Sequence, residues 1–303
     1  MNILLLAKDS KKSNVIFDYF KKNNFQISLV KISDFRKNQK KILKKINQLL
    51  KQNITIINFF GETRDKKLMN DYNFVFVMEI INLLNKKKIN YHLIHISTLS
   101  ILKRQNANYF RHNIYENTQN TLETKYQITK KKAEEFIINK SKSGKYTILR
   151  IGSLYMLNDN NFWLVKLVEY FSKKKLLILN FKNTYLGILT IDDLCINLIR
   201  LTKNKKNKNS TFNLTDNINL YELLEKIFNT NNIIYHKFYI PNPILYFSLS
   251  LIQLFKLFGF QKFSNIYNVL FSNNYYVCKK ILNNNRFEFN NSFYKYFLSK
   301  KHD

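Results

Sequence analysis

Short apolar runs alternate with longer amphipathic, Lys-rich stretches through the first half of this 303-residue chain, and that alternation limits the fold more than any other feature. Residues 2–7 (Asn-Ile-Leu-Leu-Leu-Ala), 25–32, 54–60, 91–96 and 146–151 each read as a strand, rich in aliphatic and aromatic residues and bounded by polar turns. Helical periodicity lies between them. Val15, Ile16, Phe17 and Phe20 make one apolar face, and further helices are expected at about 37–51, 70–85 and 126–140. Strand–helix repeats of this length imply a parallel sheet covered by helices on both faces. Right-handed crossovers then favour a doubly wound, Rossmann-like α/β fold.

From about residue 155 the alternation weakens. Helices near 163–173, 192–201 and 220–228 and strand-like runs at 185–190 and 212–214 are expected, with 203–209 a solvated turn or loop. Residues 244–260 are strongly apolar, but Ser248, Ser250, Gln253 and Lys256 interrupt them and the run is short for a bilayer crossing, so a buried or surface-docked helix is expected. The division that follows is a dinucleotide-binding domain over 1–155 and a smaller C-terminal α/β substrate region over 156–303. Part of that region, about 185–215, is expected to return to the main sheet.

Composition narrows the function less than its extremity suggests. With 50 Lys+Arg against 20 Asp+Glu, the formal charge is +30, a field that attracts phosphorylated molecules, anionic lipid or nucleic acid. The excess is nearly all Lys, together with abundant Asn, Ile and Phe, whose codons are A/T-rich, while Gly (5) and Pro (2) are scarce. Coding bias therefore accounts for most of the charge. Arg, the usual donor for bidentate base reading, stands only at 36, 64, 104, 111, 150, 200 and 286, without clustering. Nucleic acid is not the expected partner. Cys195 and Cys278 make neither a disulfide framework nor a zinc site, and the histidines lack ligand spacing, so no metal is expected. His92 and His95, three apart in a strand, face opposite sides. The apolar run at the N-terminus is too short for a signal segment, and the expected location is cytoplasmic with no transmembrane segment.

Three segments in order are the sharpest signal: Ile94-His-Ile-Ser-Thr-Leu-Ser100, then Tyr126-Gln-Ile-Thr-Lys130-Lys-Lys-Ala-Glu134, then Leu149-Arg150-Ile-Gly-Ser-Leu-Tyr155. A strand ending in Ser/Thr, a Tyr-x-x-x-Lys helix and a strand ending in Leu-Arg resemble the extended short-chain dehydrogenase/reductase family of nucleotide-sugar epimerases and dehydratases. Ile188-Leu-Thr-Ile-Asp-Asp-Leu-Cys195 and Phe212-Asn-Leu-Thr-Asp216 are similar to later segments of that family. Tyr-x-x-x-Lys alone recurs by chance in so Tyr- and Lys-rich a chain, at Tyr170/Lys174 and Tyr296/Lys300; position selects Tyr126/Lys130.

Four residues make about one helical turn, so Tyr126 and Lys130 share a face. An ammonium about 4 Å from a phenol, at an effective dielectric near about 20, favours the phenolate by roughly 4 kcal/mol, or about three pKa units. Tyr126 could then exchange a proton with a substrate hydroxyl as hydride moves to or from a nicotinamide. The resemblance gives Lys130 a second task, holding the cofactor ribose. It also calls for a hydroxyl at the strand end: the family's position falls on Leu99, and Thr98 or Ser100 is left to supply the group.

The cofactor loop departs from the family. The positions of Thr-Gly-x-x-Gly-x-x-Gly read Leu6-Ala7-Lys-Asp-Ser10-Lys-Lys-Ser13, without a glycine. Glycines there permit the tight turn and close approach of the backbone to the pyrophosphate. Left-handed non-glycine residues cost about 1–2 kcal/mol each. Lys8, Lys11 and Lys12 are placed to offer charge instead. Asn58-Phe-Phe-Gly61-Glu-Thr63 is similar to the family's strand end beside the nicotinamide ribose, and Asn73 falls near a structural Asn. The resemblance thus implies NAD or NADP held by Ala7, Ser10, Ser13, Gly61 and Lys130, with Tyr126, Lys130 and Thr98 catalytic. The implied partner is a nucleotide-linked sugar, and a homodimer is compatible. Lys31, at the end of the second strand where an acidic residue would hold an NAD ribose, suits a 2′-phosphate. The expected activity is that of an epimerase, dehydratase or reductase; the alternative is an inactive relative kept as a binding or scaffold module.

Overall fold

A computed structural model describes residues 2–102, 112–120, 122–141, 145–157, 159, 162–204, 209–241, 274–277, 287 and 289. The apolar run at 244–260, Cys278, the Tyr296/Lys300 pair and residues 205–208 of the Lys-rich turn lie outside them.

The chain begins β1 (Asn2–Lys8), α1 (Lys11–Lys22), β2 (Gln26–Ile32), α2 (Phe35–Leu49) and β3 (Ile54–Phe59). A π-helical turn at Asp71–Val75 leads into α3 (Phe76–Lys87), then β4 (Tyr91–Thr98), a 3-10 turn at Leu99–Ile101 and β5 (His112–Ile114). Next come α4 (Lys125–Lys140), β6 (Lys145–Ile151), β7 (Ser153–Tyr155), α5 (Trp163–Lys174), β8 (Leu176–Ile178) and β9 (Tyr185–Thr190). The remainder is α6 (Ile191–Lys203), β10 (Ser210–Leu214), β11 (Asp216–Asn219), α7 (Leu220–Thr230), β12 (His236–Phe238) and β13 (Asn274–Tyr276).

The main sheet is six-stranded and parallel, in the order β10-β6-β4-β3-β1-β2. Its inner strands are buried on both faces, which is why they read as continuous apolar runs. One face packs on α2, α3 and α4 through Ile46, Phe76, Ile80 and Ile137; the other packs on α1 and α6 through Ile16, Phe20 and Leu198. This is the expected doubly wound, Rossmann-like sheet. After β2 the chain crosses back over β1, so among the described residues no strand lies outside β2. The order reverses between β1 and β3, and ligand crevices of open α/β sheets lie at that switch, beyond the carboxyl ends of the strands.

Of the span 185–215, Ser210–Leu214 lies in this sheet, while Tyr185–Thr190 belongs to a second sheet, β11-β9-β7. That sheet packs with α5 and α7 around Val168, Phe181, Leu224 and Phe228. The chain passes from one sheet to the other at Gly152, where an added Cβ would lie 2.4 Å from Thr215 Oγ1 and 2.5 Å from the Gly187 carbonyl oxygen. Two shorter pairs, β8–β12 and β5–β13, complete the smaller C-terminal α/β region. With glycine scarce, Asn24, Asn53, Asn209 and Asn232 take left-handed conformations, and Lys88 and Lys175 do so as the C-caps of α3 and α5.

Candidate active site

The carboxyl ends of β1, β3, β4 and β6 open into a cleft of about 1140 Å³, lined by Ser10, Lys12, Gly61, Glu62, Thr98, Tyr126, Lys130, Gly152 and Tyr276 among others. Its inner end is made by β4 and α4. Thr124 caps α4 and exchanges hydrogen bonds with Gln127 in a capping box. Gln127 Nε2 also donates to the Ser100 carbonyl at 2.6 Å, tying the first turn of α4 to the turn after β4. These bonds fix Tyr126 opposite the end of β4. Leu99 is buried among Ile101, Leu102, Ile114 and Tyr276, so the family's hydroxyl position offers none. Thr98, at the end of β4, lines the cleft together with Tyr126 and donates to Ser100 Oγ at 3.1 Å.

Lys130, one turn further along α4, is buried and donates from Nζ to the Ile96 carbonyl at 2.8 Å. Gly61 faces it: a Cβ at Gly61 would lie 3.3 Å from Lys130 Nζ and 2.9 Å from Asn73 Oδ1. Burial lowers the Lys130 ammonium to about 8, against the opposing charge of Glu134. The expected relief of the phenol by this ammonium is not found. Burial raises Tyr126, and the group that offsets it is Thr98, because Lys130 turns its charge to the β4 backbone.

Asn73 Oδ1 accepts from the Glu62 amide at 2.8 Å, and its Nδ2 donates to the Glu62 carbonyl at 2.9 Å and to Thr129 Oγ1 at 3.1 Å. It therefore holds the end of β3 against α4. Asn58 Nδ2 meets His95 Nδ1 at 3.1 Å, and His92 bonds Thr147, so the two histidines do face opposite sides. Burial holds His95 well below the usual imidazole range, with the Lys130 charge acting in the same direction.

The glycine-free loop places its three residues in three different environments. Ala7 lies in β1, fully buried in the core. Ser10 is the N-cap of α1 and lines the cleft. Ser13 is buried: its Oγ donates toward the Lys8 and Ser10 carbonyls at 2.9 and 2.7 Å and accepts from the Ser10 amide at 3.2 Å. No residue of this loop is left-handed, so the strain expected of the lost glycines is absent. The backbone turns directly from strand into helix, and the serine capping box takes the place of the glycine turn.

Charge around the mouth is largely internal. Lys8 Nζ is 2.7 Å from Glu62 Oε2, and Glu62 Oε1 accepts from the amides of Thr63, Arg64 and Asp65. Burial opposes the Glu62 charge, but these donors outweigh it and hold the carboxyl at about 2. Lys12 reaches over the cleft to the Leu154 carbonyl at 3.0 Å, and Lys31 pairs with Asp9 at 3.0 Å. Glu62 stood inside a recognised segment and was legible only as a spacer. Glu134, one turn beyond Lys130, is fully buried and bonded by Arg150; its i+4 spacing was the signal that could have marked it. Cys195 is buried, its thiol pushed up to about 12 by burial and Asp192, which leaves it inert. Among the described residues there is no metal-ligand cluster, and no helix is long and apolar enough to cross a membrane.

The residues present fit a nicotinamide dinucleotide. Lys12, Arg64 and the N-terminus of α1 suit its pyrophosphate, and Tyr126, Thr98 and Lys130 lie at the inner end. At the loop, side chains stand where bare backbone would otherwise approach. Comparison with known proteins agrees with the fold. The chain superposes on UDP-glucuronic acid 4-epimerase from Bacillus cereus in complex with NAD, at TM-score 0.59 and 14% identity over 80% of this chain and 86% of that one. UDP-glucose 4-epimerase from Thermotoga maritima with UDP-glucose gives TM-score 0.57 and 16% identity, over 80% and 86%. dTDP-glucose 4,6-dehydratase from Bacillus anthracis in complex with NAD gives 0.58 and 14%, over 80% and 85%. No curated protein matches the sequence. Residues 38–228 match the NAD-binding family described as Male sterility protein. The likeness to the solved epimerases and dehydratase is one of fold, and by the family match over residues 38–228 the chain belongs to that NAD-binding family.

Proposed function

We propose that the protein is an NAD(P)-dependent oxidoreductase acting on a nucleotide-linked sugar, as an epimerase, dehydratase or reductase, with Tyr126 as its acid–base residue. The carrying observation is that Tyr126, Thr98 and the buried Lys130 line one cleft at the carboxyl end of β4. The cofactor, when bound, supplies or accepts hydride at carbon. Tyr126 moves the matching proton to or from the substrate oxygen, which Thr98 orients. Burial raises the phenol, so at neutral pH Tyr126 holds its proton and serves first as donor to a carbonyl oxygen. Lys130 and Gly61 would hold the cofactor's ribose, and Ser10, Lys12 and Arg64 would hold its phosphates by charge and hydrogen bonding. Ala7 and Ser13, buried in strand and capping box, support the loop from beneath.

The test is titration with NADH and NADPH by ligand fluorescence, followed by turnover of nucleotide sugars. Micromolar binding is expected, with Tyr126→Phe abolishing turnover and leaving binding within about twofold. Turnover is expected to fall as pH rises through about 8, where Lys130 loses its charge. A folded protein that binds neither dinucleotide would overturn the reading. It would favour the inactive module, which the internal pairing of Lys8 with Glu62 supports.

A further inference from the structure

Behind Lys130 lies a buried ion pair that the proposed chemistry does not touch. Glu134 is fully buried, and Arg150 from β6 grips its carboxylate: Nη2 to Oε2 at 2.7 Å, Nε to the two oxygens at 3.1 and 3.2 Å. Ser97 Oγ donates to Glu134 Oε1 at 2.5 Å. Ser97 follows Ile96, whose carbonyl receives the Lys130 ammonium. Two successive residues of β4 are thus laced to two successive turns of α4, one through Lys130 and one through Glu134. Arg150 continues the lacing, donating from Nη1 to the Glu116 carbonyl at 2.7 Å. Glu116 Oε1 accepts from the Asn213 amide at 3.1 Å.

Two buried cations lie on either side of one buried carboxylate. The groups facing Lys130 are Glu134 on its own helix, His95 from β4, which burial keeps neutral, and Arg150 from β6 behind Glu134. Tyr126 lies one turn before it, the segment after β3 presents the uncharged Gly61, and the π-helical turn before α3 presents the uncharged Asn73. Glu134 is therefore the carboxylate that Lys130 and Arg150 share, while Arg150 also reaches the buried Glu116 through its carbonyl.

We propose that Glu134, braced by Arg150 and Ser97, is a positioning residue for Lys130: it fixes the α4–β4 seam that seats the ammonium on the Ile96 carbonyl and supplies its balancing charge. The proposal rests on the reading of Lys130 as a cofactor-side residue only for its catalytic consequence. Its test does not. The purified full chain is pulsed with acetic anhydride across pH 6–11, using about 1-unit steps around the ordinary lysine value. Mass spectrometry of the Lys130 peptide follows labelling, with surface lysines as internal standards.

The native protein should show half-maximal Lys130 reactivity near pH 8. In Glu134→Gln the carboxamide keeps the shape and removes the charge, leaving Arg150 uncompensated. The midpoint should fall by about one unit or more. Ser97→Ala, which frees one carboxylate oxygen without changing charge, should shift it in the same direction by less, and decides the matter if Glu134→Gln does not fold. A variant that melts earlier but keeps the native midpoint overturns the proposal, since a merely structural role predicts that pattern. If the midpoint moves while neither NADH nor NADPH binds the native protein, the proposal stands and the oxidoreductase reading falls. If both dinucleotides bind and the midpoint is unmoved, the reverse holds.

Discussion

At the scale of single residues, the site is held by groups whose partners are backbone atoms. Lys130 bonds a carbonyl, Asn73 closes a pair of bonds with Glu62, and Glu62 collects three amides. Gly61 is the position where this leaves no space. Gly61→Ala places a methyl 2.9 Å from Asn73 Oδ1, an atom already committed to the Glu62 amide. The expected cost is about 1–3 kcal/mol, the range for inserting a methylene into a packed site. Urea unfolding would measure it, and an unchanged midpoint would mean that Asn73 yields freely. Order along the chain singles out Tyr126, Thr98, Lys130 and Gly61 in the sequence, and the structure brings all four to one cleft. What acts on Tyr126 was not legible in the sequence. Spacing says that two side chains share a helical face, but the direction of the lysine depends on a carbonyl supplied by another strand.

At the scale of elements, the turn from β1 into α1 shows how a lost motif is replaced. The sequence displays the absence of glycine, and the physical expectation was strain. Strain requires a left-handed residue, and none occurs there, because Ser10 and Ser13 cap the helix reciprocally and bring its start to Lys11. Ser13→Gly, which restores the family's residue, should therefore weaken the protein by about 1–2 kcal/mol through loss of the buried Ser13 hydroxyl that bonds the Lys8 and Ser10 carbonyls and the Ser10 amide. Thermal unfolding checks this; a stabilised variant would show that the glycine turn is still the preferred geometry. The strands of the main sheet and helices α1 to α7 were readable to within a few residues, since apolar periodicity encodes them directly, whereas three- and four-residue strands such as β7, β8 and β11 are too short to show a period. The partition of β9 and β10 between two sheets was not readable, because both are short apolar strands and pairing depends on partners far away in the chain.

At the scale of the molecule, a formal charge of +30 acts against compactness as well as on ligands. Among the described residues few of those charges are matched: the ion pairs include Lys8–Glu62, Lys31–Asp9 and Lys131–Glu135. Raising sodium chloride from about 20 mM to about 300 mM, which shortens the screening length below about 10 Å, should raise the melting temperature by about 2–4 °C. A fall would mean that the surface lysines are not repelling one another. One further consequence belongs to Gly152. Because its missing Cβ lets the backbone of one sheet rest on that of the other, at the Gly187 carbonyl and Thr215, the two layers meet there as a weld. Any side chain at position 152 would have to prise the two layers apart, so this seam closes only around a glycine.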